Sequence, residues 1–253
     1  AAHIITCADD MAKNLVKCVE NCDLDVDQTI FSALASSYAV LTDDEKELGV
    51  CVADIGGGTL DIVIYTDGAI RHTAVIPLAG NQITSDIAKI FRTPMNNAEQ
   101  IKVNYACALK DMVSMEETID VPSVGGRPAR AMSRHTLAEV IEPRYHELLE
   151  IAYDHIKASG LEEQIAAGLV ITGGTAKMEG AVEFAEEIFQ MPVRVGKPHS
   201  VKGLAEYVDD PCFATAVGLL QYGKQNTNNK KSSSRHDEDS VFKRIKTWFK
   251  GAF

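Results

Sequence analysis

Two glycine turns hold the residues best suited to chemistry. The first, VADIGGGTLD, places Asp54 at the end of an apolar run, then Gly56, Gly57, Gly58, Thr59 and Asp61. The second, LVITGGTAKMEG, places Gly173, Gly174 and Thr175 after another apolar run. Glycine weakens a strand, but without a Cβ it lets backbone N–H groups close around an anion. Thr59 could add its hydroxyl to the same anion, and Asp54 could hold a divalent ion directly or through water. In the second turn Gly173 and Gly174 would admit a nucleobase or sugar. A helix after Gly180 would aim its positive end at a ligand. Either turn alone could also be a plain tight bend. GGGT is not a Walker A loop, which would end in GK[ST].

These turns need strands to carry them. VCVAD, DIVIY and AIRHTAVIP read as three strands, the last two joined by the hairpin signal TDG. GLVIT and VRV read as two more. Before them, HIITC and VDQTIF read as strands, with DDMAKNLVKCVENC helical after Asp9 as cap and SALASSYAVL as a small-residue helix. After Gly80, NQITSDIAKIF and NNAEQIKVNYACAL read as helices, the second capped by Asn96 or Asn97. ETIDVP and RPARAMS read as short strands around Gly125-Gly126. A helix is expected from Thr136 to Ala158, with Thr136 and Glu139 as a capping box and a kink at Pro143. GAVEFAEEIF and PCFATAVGLLQY are the remaining expected helices.

Composition narrows the class. The chain has 253 residues, 45% of them hydrophobic, and a net charge of −11. That charge argues against general nucleic-acid binding. No apolar run reaches the roughly 18 residues that span a bilayer, and AAHIITCADD lacks the features of a secretory signal. Cytosolic residence is the expectation, with the six cysteines as buried free thiols. Cys18 and Cys22, four apart on a helix, are open to a metal.

Two further features interrupt the acidic chain. Arg127, Arg130, Arg134 and Arg144 cluster around the long helix, where their forks would suit carboxylates or simply pair with Glu139, Glu142 and Glu147. From Lys224 to Ser240 almost no apolar residue occurs, which reads as a disordered linker. Beyond it, VFKRIKTWFKGAF on a helix gathers Val241, Phe242, Ile245, Trp248, Phe249, Ala252 and Phe253 on one side. Lys243, Arg244, Lys246 and Lys250 occupy the other. Such a segment suits an anionic membrane surface, where each basic residue contributes about 1 kcal/mol. Docking on the protein's own surface or on a partner are the other readings.

DIGGGTLD resembles the second phosphate loop of the actin, heat-shock chaperone and sugar kinase superfamily, and GLVITGGTAKMEG its adenosine motif. Within that superfamily, CVADIGGGTLDIVIYTDGAIRHTAVIPLAGNQITSDIA, SVGGRPAR, LAEVIEPRYHELL and TAVGLLQYG resemble the FtsA family of actin-like division proteins. The resemblance covers nearly the whole chain and implies an α/β fold. That fold would be an actin-like (ribonuclease H-like) lobe with an inserted α+β subdomain, a disordered linker and a C-terminal amphipathic helix. It divides the chain into subdomain 2A (1–80 and 167–223), inserted subdomain 2B (81–166), linker (224–240) and membrane-targeting helix (241–253). The family's first phosphate loop and first lobe are missing from the pattern, so one wall of a nucleotide cleft is expected.

The same resemblance implies ATP and Mg²⁺ as ligands. Asp54 would sit near the metal, Gly56, Gly57, Gly58 and Thr59 around the phosphates, and Gly173, Gly174 and Thr175 near the adenosine. Glu99 and Lys102 would face ribose and base, although they also read as a solvated helix face. It further implies that Arg144, and more weakly Arg130, meets the C-terminal peptide of FtsZ, the tubulin-like division protein; Arg130 could instead serve self-association. Phe242, Lys243, Arg244, Ile245, Lys246, Trp248, Phe249, Lys250 and Phe253 would meet the membrane. The function implied is a non-enzymatic or weakly ATP-hydrolysing adaptor that tethers FtsZ filaments at the cytoplasmic face of the inner membrane. It would self-associate into filaments and recruit later division proteins. An ATP-dependent enzyme or chaperone-type ATPase, and a cell-shape or pilus-assembly actin homologue, are the alternatives.

Overall fold

The computed structural model describes residues 3–201, 203 and 205–226. Its centre is a five-stranded sheet. The strands are β1 (Val50–Ile55), β2 (Leu60–Thr66), β3 (Ala69–Ile76), β6 (Leu169–Thr172) and β7 (Val193–Val195), in the order β3-β2-β1-β6-β7. β1, β2 and β3 are antiparallel neighbours, while β6 runs parallel to β1 and β7 parallel to β6. Asp67 and Gly68, both at positive φ (52° and 68°), make the two-residue β2–β3 turn. That geometry matches the twist of the strands it joins.

Every residue of β1 and β2 is buried, because helices cover both faces of the sheet. Cys51, Ala53, Ile55, Leu60, Ile62 and Ile64 face one cluster. It is closed by α4 (Gly80–Phe91), α6 (Arg134–Ser159) and α7 (Ala181–Phe189). Val50, Val52, Val63 and Tyr65 face the other, beneath α2 (Ser32–Val40) and the closing helix over residues 214–226. Ala33, Ala35 and Ala39 on α2 are small enough to let these two helices meet at the backbone: a Cβ on Gly218 would lie 1.7 Å from the Ala35 carbonyl oxygen.

Between β3 and β6 the chain builds α4, α5 (Met95–Tyr105), the hairpin of β4 (Thr118–Val121) and β5 (Arg130–Ser133), and α6. Gly125 and Gly126, at φ 75° and 72°, reverse the hairpin as expected. α6 presents Leu137, Ile141, Tyr145, Leu148, Ala152 and Ile156 to the core at helical spacing, and continues through Pro143.

Several elements depart from the sequence reading. Residues 3–7 and 26–31, expected as strands, are irregular and join no strand of the described sheets. α1 (Asp9–Glu20) forms but buries no residue, and its cap position is Ala8. α5 starts after Pro94 without an Asn cap and stops at Tyr105, because Cys107 leaves to bridge Glu179. α6 starts earlier than Thr136: the Ser133 hydroxyl accepts from the His135 N–H at 3.2 Å. The closing helix runs through 226, so residues 224–226 are helical where the linker was expected. The rest of that linker and the segment 241–253 lie outside the described residues. All six cysteines are free, but only Cys51 and Cys107 are buried. Among the described residues no helix is long and apolar enough to cross a membrane.

Candidate functional site

The glycine turns leave the C-terminal ends of neighbouring parallel strands, β1 and β6, where Asp54 is paired with Thr172. In open α/β sheets this end of the strands is where ligands enter. Residues 56–59 connect β1 to β2, and their carbonyls are clamped by the start of α4. The Gly80 N–H donates to the Gly56 carbonyl (3.1 Å) and the Asn81 N–H to that of Gly57 (2.7 Å). The Thr175 hydroxyl, from the other turn, also donates to the Gly56 carbonyl at 2.8 Å. In a trans peptide the next N–H points opposite to the carbonyl. The Gly57 and Gly58 N–H groups therefore turn away from α4, at a tip that is exposed together with Thr59.

α5 supplies the charged wall. Lys102 Nζ reaches Glu99 (2.8 Å), the Thr84 hydroxyl (2.9 Å) and the Gly80 carbonyl (3.0 Å), with only 9% of the side chain exposed. Lys102 is thus not on a solvated face. Burial raises the Glu99 carboxyl pKa, but hydrogen bonds from Lys102 and Thr84 outweigh it and hold the group below its ordinary value. Gly56, Gly57, Glu99, Lys102, Gly174 and Thr175 line one cavity of about 330 Å³, with Val103, Ala106, Lys177, Met178 and Cys212. Gly58 and Thr59 lie at the exposed tip outside this lining. Gly173 lies beneath it: at φ 87°, an added Cβ would stand 2.5 Å from the Ile55 carbonyl and from Asp54 Oδ1. Its glycine requirement comes from the close approach of the two strand ends.

Asp54 is turned into the core. Its Oδ2 accepts from Ser36 Oγ at 2.5 Å and Thr215 Oγ1 at 3.2 Å. Asp61, its cross-strand partner, accepts from Ser32 Oγ at 2.5 Å through Oδ2, while Oδ1 is buried with no partner among the described residues. An orphaned carboxylate oxygen beside a second buried carboxylate fits a hard cation such as Mg²⁺. The described residues contain no group of three or more His, Cys, Asp or Glu placed to hold a metal, Cys18 and Cys22 included. Water or a phosphate would therefore complete the shell.

Burial pushes the Asp61 carboxyl up, and the Asp54 charge adds to this against the Ser32 and Thr59 hydrogen bonds. A carboxyl raised in the folded state binds more protons there than when unfolded. Its contribution to stability therefore falls as pH rises from the ordinary carboxylate range through the raised value. Asp61→Asn is expected to raise Tm by roughly 2 °C at pH 7 without divalent ions, and by less at pH 4. Melting curves at the two pH values check this; a lowered Tm at pH 7 would contradict it.

The arginines are elsewhere. Arg144 Nε donates to Asp86 on α4 at 2.6 Å, and Nη1 to Glu147. Arg130 donates to the carbonyl of Phe91, the last residue of α4, as a C-terminal cation. Arg134 joins Glu117, Glu179 and the Tyr105 carbonyl. Of the expected carboxylate partners only Glu147 pairs with one of these arginines; Glu142 instead accepts from the Lys110 N–H at 2.6 Å. The residues assigned to the membrane lie beyond those described.

Sequence reasoning missed Gly80, Asn81, Thr84, Ser36, Thr215, Met178 and Cys212. Gly80-Asn81 carried a usable signal, a glycine between a hairpin and a helix. The hydroxyls and Cys212 carried none, since only folding brings them to the turns.

A family model for cell division protein FtsA matches residues 51–218. Cell division protein FtsA of Pseudomonas aeruginosa is 55% identical over 99% of this chain and 62% of its own length. That of Escherichia coli K12 is 52% identical over the same shares. The chain thus spans about 62% of the length of these relatives. Among solved structures, ADP-bound MreB5 of Spiroplasma citri superposes with a TM-score of 0.72 at 19% identity, covering 89% of this chain and 68% of that one. A MamK double helical filament gives 0.64 at 16%, covering 86% and 66%. These likenesses show an actin-like fold.

Proposed function

Because the chain belongs to the FtsA family of cell division proteins, we propose that it is a nucleotide-binding adaptor that tethers FtsZ filaments to the cytoplasmic face of the inner membrane. The observation that carries the nucleotide part is the shared cavity. Two turns 119 residues apart are locked together by the Thr175–Gly56 bond and lie beside a partly buried lysine. ATP is the ligand of choice, and MreB5, which shares the fold, is ADP-bound. In this reading Gly57, Gly58 and Thr59 donate to the phosphates. Gly174, Thr175 and the Glu99–Lys102 pair border the adenosine, and Asp54 with Asp61 holds Mg²⁺. The cation neutralises phosphate charge when bound. In this reading binding sets conformation and self-association into filaments, with at most weak hydrolysis.

FtsZ would engage the inserted region through Arg144, with Arg130 as the weaker candidate. The incoming acidic peptide must then compete with Asp86 and Glu147 for the guanidinium. Arg144→Glu is expected to weaken binding of an FtsZ C-terminal peptide several-fold. Equal affinity in a titration would remove Arg144 from the site. A melt of the variant is read alongside, since a glutamate there also repels its two present partners.

The membrane contact falls to Phe242, Ile245, Trp248, Phe249 and Phe253, with Lys243, Arg244, Lys246 and Lys250 toward anionic headgroups. Later division proteins would join at the membrane-bound filament. The test of the whole reading is sedimentation of FtsZ with anionic liposomes. This chain is expected to carry FtsZ into the pellet, and removal of Val241–Phe253 or Trp248→Glu is expected to abolish that. Unchanged sedimentation of the truncated chain would end the tether reading.

A further inference from the structure

We propose that Ser36 and Thr215 are positioning residues that form a switchable clamp on Asp54, competing with a divalent cation for its carboxylate and relaying the outcome to the closing helix. The inference rests on the reading of the first glycine turn as part of a cation-assisted nucleotide site. Asp54 Oδ2, Ser36 Oγ and Thr215 Oγ1 form a closed triangle with sides of 2.5, 2.9 and 3.2 Å. The two hydroxyls come from different helices, Ser36 from α2 and Thr215 from the first turn of the helix over 214–226. One turn before Ser36, Ser32 holds Asp61 in the same way.

The carboxylates are 9% and 6% exposed and face each other across β1 and β2. Their side-chain partners are hydroxyls, which supply directional bonds but no net positive charge. Two buried carboxylates held so are undercompensated, and Asp61 Oδ1 remains open. A cation drawn to the pair would take electron density from Asp54 Oδ2 and turn the group toward Asp61. The Thr215 bond, the longer of the two, would yield first. The closing helix cannot follow as a rigid body, because at Gly218 its backbone rests on that of α2. Loss of the Thr215 anchor would therefore loosen its first turn. The same helix leads in sequence toward the segment 241–253.

The test uses Mn²⁺ alone as the probe on the full chain. Binding is followed by electron paramagnetic resonance, and residues 214–226 by hydrogen exchange. In the wild type, Mn²⁺ is expected to speed exchange in 214–226. Thr215→Val removes one donor at constant shape. It is expected to tighten Mn²⁺ binding about 3- to 10-fold and to abolish the exchange response. Thr215→Ser is expected to restore both. A purely structural role would weaken binding or leave it unchanged, so the sign of the effect decides. Ser36→Ala reads the same competition should Thr215→Val fold poorly.

Unchanged or weakened Mn²⁺ binding in both variants, or exchange in 214–226 that ignores Mn²⁺ in the wild type, would overturn the clamp while leaving the nucleotide site standing. Mn²⁺ binding that is absent from the wild type, or that survives Asp54→Asn, would overturn the clamp together with the cation site.

Discussion

Gly218→Val is expected to prevent this lobe from folding at 37 °C. An added Cβ would lie 1.7 Å from the Ala35 carbonyl oxygen and 2.4 Å from its carbon, and both are backbone atoms that no rotamer can move. Relief requires the closing helix to lift from α2. That opens the cluster in which Val40, Leu41, Val52, Val63, Val170, Ala214 and Val217 are buried. Overpacking alone costs about 1–3 kcal/mol, and separating a helix from its layer adds the lost burial of several aliphatic side chains. The total is comparable with the roughly 5–15 kcal/mol that a whole domain has in hand. Circular dichroism and urea titration are the measurements. Gly223→Ala, on the same helix, adds a Cβ that meets no heavy atom of the described residues within 4 Å and is expected to be neutral or slightly stabilising. A Gly218→Val variant that melts with the wild type would show the helix contact to be wrong.

Gly80→Val is expected to abolish nucleotide binding while leaving the sheet folded. Its Cβ would stand 2.4 Å from Thr175 Oγ1 and 3.2 Å from both the Gly56 carbonyl and Lys102 Nζ. One substitution therefore breaks the bond between the two turns, displaces the start of α4 and pushes the Lys102 ammonium out of place. Affinity for a fluorescent ATP analogue is expected to fall at least about 100-fold, or roughly 2.7 kcal/mol. Thr175→Val removes only the hydroxyl bond and is expected to cost about 5- to 10-fold. Equal affinity for Gly80→Val and wild type would show that the cavity is not where the nucleotide sits.

Much of the scaffold was legible from residue order. The five strands of the sheet, the Asp67-Gly68 hairpin and the long helix through Pro143 follow from short-range periodicity and turn chemistry. Those signals survive because each is satisfied within a few residues. The failures have separate causes. Residues 3–7 have the apolar pattern of a strand, but a strand exists only where a backbone ladder forms, and at the β3 edge the contact is instead side chain to side chain, His3 Nε2 with the Thr73 hydroxyl at 3.1 Å. The α6 boundary moved to Ser133 because a nearer hydroxyl reached the open N–H groups first. Cysteine burial was misjudged for Cys7, Cys18, Cys22 and Cys212, since composition does not say which face of an element is covered.

Residue order by itself determined that two glycine turns with threonines would sit at strand ends, and that an acidic chain would end in a basic, aromatic segment. Only the tertiary structure decided that the turns share one cavity, that Gly173 serves strand packing, and that Asp54 is gripped by hydroxyls from two helices far apart in sequence. The physical reason is range. Backbone conformation answers to neighbours along the chain, whereas a cavity wall and a hydrogen-bond triangle are made by residues such as Ser36, Asp54 and Thr215, which meet only once β1 is sandwiched between its helices.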